Sequence, residues 1–157
     1  NIAEGPVVGI CEAAVYTASI VAGSFVVVTT LPSSIPAIEK TIRGYGRENF
    51  CKGVRAANIP VLGLEEGELG EKMIREEILC ALKEDSPESI VLGCAGMADL
   101  AKRLSKEFEI PVIDGVASAV KIVEGIIVQG LKTSKAGGYA IPPRKIYKGK
   151  FSDDQLI

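Results

Sequence analysis

The chain has 157 residues, 47% of them hydrophobic, and a formal net charge of −2, which suits one globular domain with a core of its own. A mildly acidic balance of mixed signs excludes an electrostatic footprint for nucleic acid or an anionic membrane, and no apolar run approaches the roughly 20 residues needed to span a bilayer. Histidine is absent, which excludes Ser-His-Asp and Cys-His catalysis within the chain and histidine-ligated metal sites.

Asn1 to Glu4 carry no basic stretch of the kind that opens a secretory signal. The chain starts a few residues before its first strand-like run and reads as cut from something longer. Short apolar runs at Val7–Ile10, Phe25–Thr29, Val61–Leu64, Ile90–Gly93 and Val112–Ile113 read as strands. They are β-branched and do not alternate, as parallel strands covered on both faces do. Helical patterns separate them. Residues 12–22 form the first. Residues 34–43 put Ile35, Ile38 and Ile42 on one face, and Gly44 supplies a stop. Residues 70–84 group Ile74, Ile78, Ala81 and Leu82, and residues 97–108 place Met97, Leu100, Ala101, Leu104 and Phe108 close to a 3.6-residue period. Residues 115–131 are apolar on most sides and read as a helix buried between two layers. The alternation defines an α/β fold with a parallel sheet. Lys132–Ile157, with Gly137-Gly138 and Pro142-Pro143, reads as an irregular surface segment. Pro6-Val7-Val8 leading to Ala14-Val15 is echoed by Pro111-Val112-Ile113 leading to Ala119-Val120. This is either the common likeness of strand–helix units or a pseudo-twofold relation between two lobes that exchange such helices.

The four cysteines, Cys11, Cys51, Cys80 and Cys94, form no C-x-x-C pair. A chain this apolar needs no staples, so they read as free thiols of a cytoplasmic protein. Cys94 carries the strongest chemical signal. In Leu92-Gly93-Cys94-Ala95-Gly96-Met97 a buried strand ends and a helix is expected within about two residues of the cysteine. Ligands of parallel α/β sheets bind at the carboxyl ends of strands, and a helix N-terminus favours the thiolate. A buried packing cysteine is the other reading. Thr29 and Thr30 end a strand at the same rim and offer two hydroxyls; Ser33 or Ser34 is placed to cap the next helix. Cys11 and Glu12 share the rim by the repeat. Cys51 and Cys80 read as packing residues, Asp114 as a helix cap or a rim carboxylate, and Glu65-Glu66 as solvated loop. Neither G-x-G-x-x-G after a strand nor a P-loop occurs, so no cofactor is expected.

Pro-Val-Val-Gly-Ile-x-Glu-Ala-Ala at 6–14, Val-Val-Thr-Thr at 27–30, Val-Arg-Ala at 54–56, Leu-Gly-Cys-Ala-Gly-Met-Ala at 92–98, Pro-Val-Ile-Asp-Gly-Val at 111–116 and Thr-Ser-Lys at 133–135 together resemble the hydantoin and allantoin racemase branch of the aspartate/glutamate/hydantoin racemase family. The resemblance implies two flavodoxin-like lobes facing across a cleft, each giving one cysteine, with neither metal nor pyridoxal phosphate. It makes Cys94 the second catalytic cysteine and Thr29 and Thr30 a substrate-binding pair. It also places the backbone around Ala95 where substrate oxygen is held. The family's first catalytic cysteine belongs before Pro6 and is absent; Cys11 stands where relatives carry a small residue such as glycine and is not that partner by motif. Residues 25–108 are then expected to form the second lobe. Residues 1–24 and 109–157 are expected to cross to the first lobe, with apolar surface on the helices at 12–22 and 115–131 left uncovered. The implied function is racemisation of 5-substituted hydantoins or allantoin by two thiols. Alternatives are another reaction of the superfamily (amino-acid racemisation, maleate isomerisation, arylmalonate decarboxylation) or a non-catalytic small-molecule-binding lobe. The partners expected are a small hydantoin-like ring and further copies of the chain in a homo-oligomer, not nucleic acid or membrane.

Overall fold

A computed structural model describes residues 3–59, 68–95 and 98–143. Two compact units are distinguished, Val8–Glu124 and the pairing of Asn1–Val7 with Gly125–Ile157.

The larger unit is built on a four-stranded parallel sheet in the order β2-β1-β3-β4. Its strands are β1 (Phe25–Thr29), β2 (Cys51–Ala56), β3 (Ser89–Leu92) and β4 (Val112–Asp114). Its helices are α1 (Ile10–Val21), α2 (Ile35–Gly44), α3 (Glu68–Glu84), α4 (Ala98–Phe108) and α5 (Gly115–Val128), the last continuing into the smaller unit. This is the expected flavodoxin-like order. The strands alternate their side chains between two hydrophobic layers. Phe25, Val27, Val91 and Ile113 pack with Ala14, Val15 and Ala18 of α1 and Ile42 of α2. Val26, Val28, Ile90, Leu92 and Val112 pack with Ile74 and Ile78 of α3 and Leu104 of α4. Strands covered on both faces need no polar positions, which is why β1, β3 and β4 read as unbroken apolar runs.

Several expectations are corrected. Val7–Ile10 is no strand: Gly9 is extended, α1 begins at Ile10, and Val7 is 78% exposed. β-branched residues suit a strand only beside a partner, and the described sheet provides none there. Cys51–Ala56, not among the expected strands, is the edge strand β2 of the described sheet. One open side lets it carry charge: Arg55 crosses to Glu77, Glu84 and Asp85 at 2.5, 2.7 and 2.8 Å, joining β2 to the end of α3. The expected strand Val61–Leu64 and the loop Glu65-Glu66 lie outside the described residues. The compact unit is wider than 25–108, because α1 packs on the sheet and β4 joins it. α5 is not buried between layers within this chain, since only Gly115 and Ala119 are buried; Val116 and Val120 are exposed, as are Ile20 and Val21 at the end of α1, so both helices leave the apolar surface uncovered that was expected of them.

In the smaller unit, Thr133 donates its backbone N–H to the Glu4 carbonyl at 3.1 Å and its hydroxyl to that of Gly5 at 2.5 Å. Lys135 reaches the Ala3 carbonyl at 2.6 Å. These bonds tie the segment after α5 to residues 3–5.

Candidate active site

In an open parallel sheet, the crevice for a ligand lies at the carboxyl ends of the strands where the order reverses. Here β1 sends the chain outward to β2 on one side, and β3 forms on its other side, so the reversal falls between β1 and β3. Thr29 ends β1, and Gly93-Cys94 follows β3. The Gly93 N–H donates to the Val28 carbonyl at 2.8 Å, which carries the pairing one residue past the strand. A side chain at 93 would meet Thr29 Cβ at 3.1 Å and Val27 Cγ1 at 3.2 Å. Glycine is therefore what allows the Cys94 loop to lie against β1.

Cys94 is half-buried and lines a cavity of about 90 Å³ together with Gly93, Ala95, Cys11, Gly115 and a set of aliphatic side chains. Cys11 reaches it as the second residue of α1, whose start is fixed against the start of α5. An added Cβ at Gly115 would stand 2.6 Å from the Ile10 carbonyl oxygen. Asp114 is 5% exposed and caps α5, its Oδ2 accepting the Ala117 N–H at 2.7 Å; its Oδ1 has no partner among the described residues.

Thr29 and Thr30 are 3% and 4% exposed. Their carbonyls accept the N–H groups of Ala57 and Ile59, both at 2.9 Å. Neither hydroxyl bonds to a described residue. Thr29 stands beside Gly93, but neither threonine lines the cavity. The structure thus joins Cys94, Ala95 and Cys11 around one space and sets Thr29 next to it, with Thr30 following in the chain. Ser34 stands at the N-cap of α2 without a side-chain bond.

Two corrections concern the thiols. The helix start expected within about two residues of Cys94 falls on residues 96 and 97, outside the described residues, α4 being described from Ala98; burial pushes the Cys94 thiol above its ordinary value. The local environment therefore favours the protonated form rather than the thiolate. Burial and the nearby Glu12 carboxylate likewise push Cys11 up. Cys80 is exposed, not packed: Ile74, Ile78 and Ala81 set the buried face of α3, and position 80 falls off it. Cys51 does pack against the α1–α2 layer, and all four thiols are free. Among the described residues, no cluster of carboxylates and thiols is arranged to hold a metal ion, and no helix is long and apolar enough to cross a membrane.

A parallel, doubly wound sheet with a free cysteine just past β3 at its switch point defines the class: an open α/β protein with thiols at its rim. Residues 1–123 match the family model described as Asp/Glu/Hydantoin racemase, and the chain belongs to that family. It is 48% identical over 150 residues to a hydantoin racemase of Rhizobium meliloti and 44% identical over 150 residues to one of Pseudomonas sp. (strain NS671). Each match takes in 95% of this chain, but 62% and 60% respectively of the relative's own length. A solved allantoin racemase from Klebsiella pneumoniae superposes with a TM-score of 0.91 at 44% identity, covering 98% of this chain and 63% of that one.

Proposed function

We propose that the protein is a cofactor-independent racemase of 5-substituted hydantoins or allantoin, with Cys94 as one of two thiols acting at C5. The observation that carries this reading is the position of Cys94: past β3, at the switch point of the sheet, half-buried beside a cavity. The C5–H bond adjoins a ring carbonyl, so its loss gives an enolate whose charge rests mostly on oxygen. One thiolate takes the proton from one face, and a thiol returns a proton to the other. Burial keeps Cys94 protonated near neutral pH, so in this reading it starts as the acid. Its S–H bond breaks as the new C5–H bond forms, and it is left as the thiolate that serves the opposite enantiomer as base. The backbone around Ala95 holds the enolate oxygen, a kind of contact whose loss costs about 3 kcal/mol in other enzymes. Thr29 and Thr30 fix the ring through their hydroxyls.

The relatives are longer than the stretch they share with this chain. We place the opposing thiol on that additional length, in a lobe that covers Ile20, Val21 and Val120. The test uses a protein that includes this lobe and follows optical rotation of a 5-substituted hydantoin, with deuterium uptake at C5 from heavy water. Cys94→Ser removes the accessible thiol chemistry while keeping size, and inversion should nearly vanish. Cys80→Ser, on an exposed helix face, should leave it unchanged. Inversion at the wild-type rate in Cys94→Ser refutes the mechanism.

A further inference from the structure

The cavity beside Cys94 has a chemical character that narrows the substrate. Its walls away from the Cys94 loop are hydrocarbon, with Val15, Val27, Ile38, Val91 and Val116 among them, and its described side chains offer only the thiols of Cys11 and Cys94 as polar groups. Thiols are weak hydrogen-bonding partners, and the Gly93 N–H is already given to Val28. We infer that this cavity is the subsite for the C5 substituent and takes a small branched alkyl group in preference to the ureido group of allantoin.

The inference rests on the proposed racemase reading in one respect. If Cys94 works at C5, the substituent on that same carbon lies within a bond or two of the sulfur, and this cavity is empty space that adjoins it. Size and polarity then decide. A dry apolar cavity of about 150 Å³ takes benzene. In proportion, the roughly 90 Å³ available here takes about four carbons, which is an isobutyl or isopropyl group and not a benzyl group. A ureido group brings several N–H donors and a carbonyl into walls with almost nothing to pair them, and buried polar groups without partners are strongly disfavoured. Each buried methylene improves binding by about fourfold.

The test titrates the 157-residue chain with 5-methyl-, 5-isobutyl- and 5-benzylhydantoin and with allantoin, by calorimetry and by the methyl resonances of Val27, Ile38 and Val91. The isobutyl compound should bind about 50-fold more tightly than the methyl compound and shift those methyl signals. The benzyl compound and allantoin should each bind at least about tenfold more weakly than the isobutyl compound. Ile38 is half-buried on α2 and tolerates change, so two variants probe the cavity from opposite directions. Ile38→Phe fills it and should weaken the isobutyl compound more than the methyl one. Ile38→Ala enlarges it and should improve the benzyl compound relative to isobutyl. Equal or tighter binding of allantoin, no binding of the isobutyl compound, or Ile38 variants that move all four ligands alike would each overturn the subsite. Inversion of hydantoins without any ranking by substituent would sink the subsite and leave the racemase reading standing. The ranking in binding without inversion of any hydantoin, by a protein carrying both lobes, would do the reverse.

Discussion

Two glycines of α5 should respond to the same substitution with opposite signs. An alanine Cβ at Gly115 would lie 2.6 Å from the backbone oxygen of Ile10, 3.2 Å from its carbonyl carbon and 3.4 Å from its Cβ. The obstructing atoms belong to the first turn of α1, whose Ala13, Ala14 and Val15 are buried, so no flexible side chain can swing aside. Restoring ordinary contact requires about 0.8 Å of backbone movement in a close-packed region. Overpacking of this kind costs about 1–3 kcal/mol. Alanine in a helix gains at most about 1 kcal/mol over glycine, and less in the first turn, so the clash wins. Gly115→Ala should destabilise by about 1–2 kcal/mol. At Gly125, in the same helix, nothing lies within 4 Å of an added Cβ, and Gly125→Ala should stabilise by about 0.5–1 kcal/mol. Urea unfolding followed by circular dichroism reads both, and melting temperature should shift about 2–4 °C per kcal/mol for a chain of this size. Because Ile10, Cys11 and Gly115 all line the cavity, Gly115→Ala should also perturb the Cys11 and Cys94 environments. If Gly115→Ala stabilises as much as Gly125→Ala, the close approach of α1 to α5 is not what holds the cavity wall.

Arg55 bonds to Glu77 and Asp85, whose side chains are about three-quarters buried, and to the more exposed Glu84. Arg55→Met should lower stability by about 1–2 kcal/mol in urea unfolding, mostly through Glu77 and Asp85 left without their donor. Arg55→Lys should fall between, since one ammonium cannot serve three carboxylates in a planar fork. A wild-type midpoint for Arg55→Met would remove this cluster from the account of how β2 is held. A third expectation concerns pH. Burial raises the thiols of Cys11, Cys51 and Cys94 above 9.0, so the folded state holds these protons more tightly than the unfolded chain. Their contribution is fully present below pH 9.0 and is lost as pH rises through the higher folded values. Stability should therefore fall above pH 9.0 and fall less steeply in Cys51→Ala. Alkylation of Cys94 should still be accelerating above pH 9.0; a rate already level at pH 7 would show that its thiolate is stabilised after all.

Local composition was enough for the α/β class, for three of the four described strands and for the five described helices, because buried parallel strands and amphipathic helices leave periodic signatures. It also singled out Cys94, since a glycine–cysteine pair at the end of an apolar run marks a strand end without reference to anything distant. Edge placement was a tertiary matter. Cys51–Ala56 carries Lys52 and Arg55 and is a strand through its pairing with β1, with Arg55 held by Glu77 of α3 and by Asp85 just after it. Val7–Ile10 has the composition of a strand but lies beside no other described strand, and an extended segment becomes a strand only through its partner's hydrogen bonds. The cavity was likewise decided by packing. Cys11 and Cys94 come from distant parts of the chain and line one cavity because Gly115 lets α1 lie against α5 and Gly93 lets the Cys94 loop lie against β1. The state of the thiol followed the same rule: desolvation depends on what surrounds the sulfur in three dimensions, and burial pushes the Cys94 thiol up.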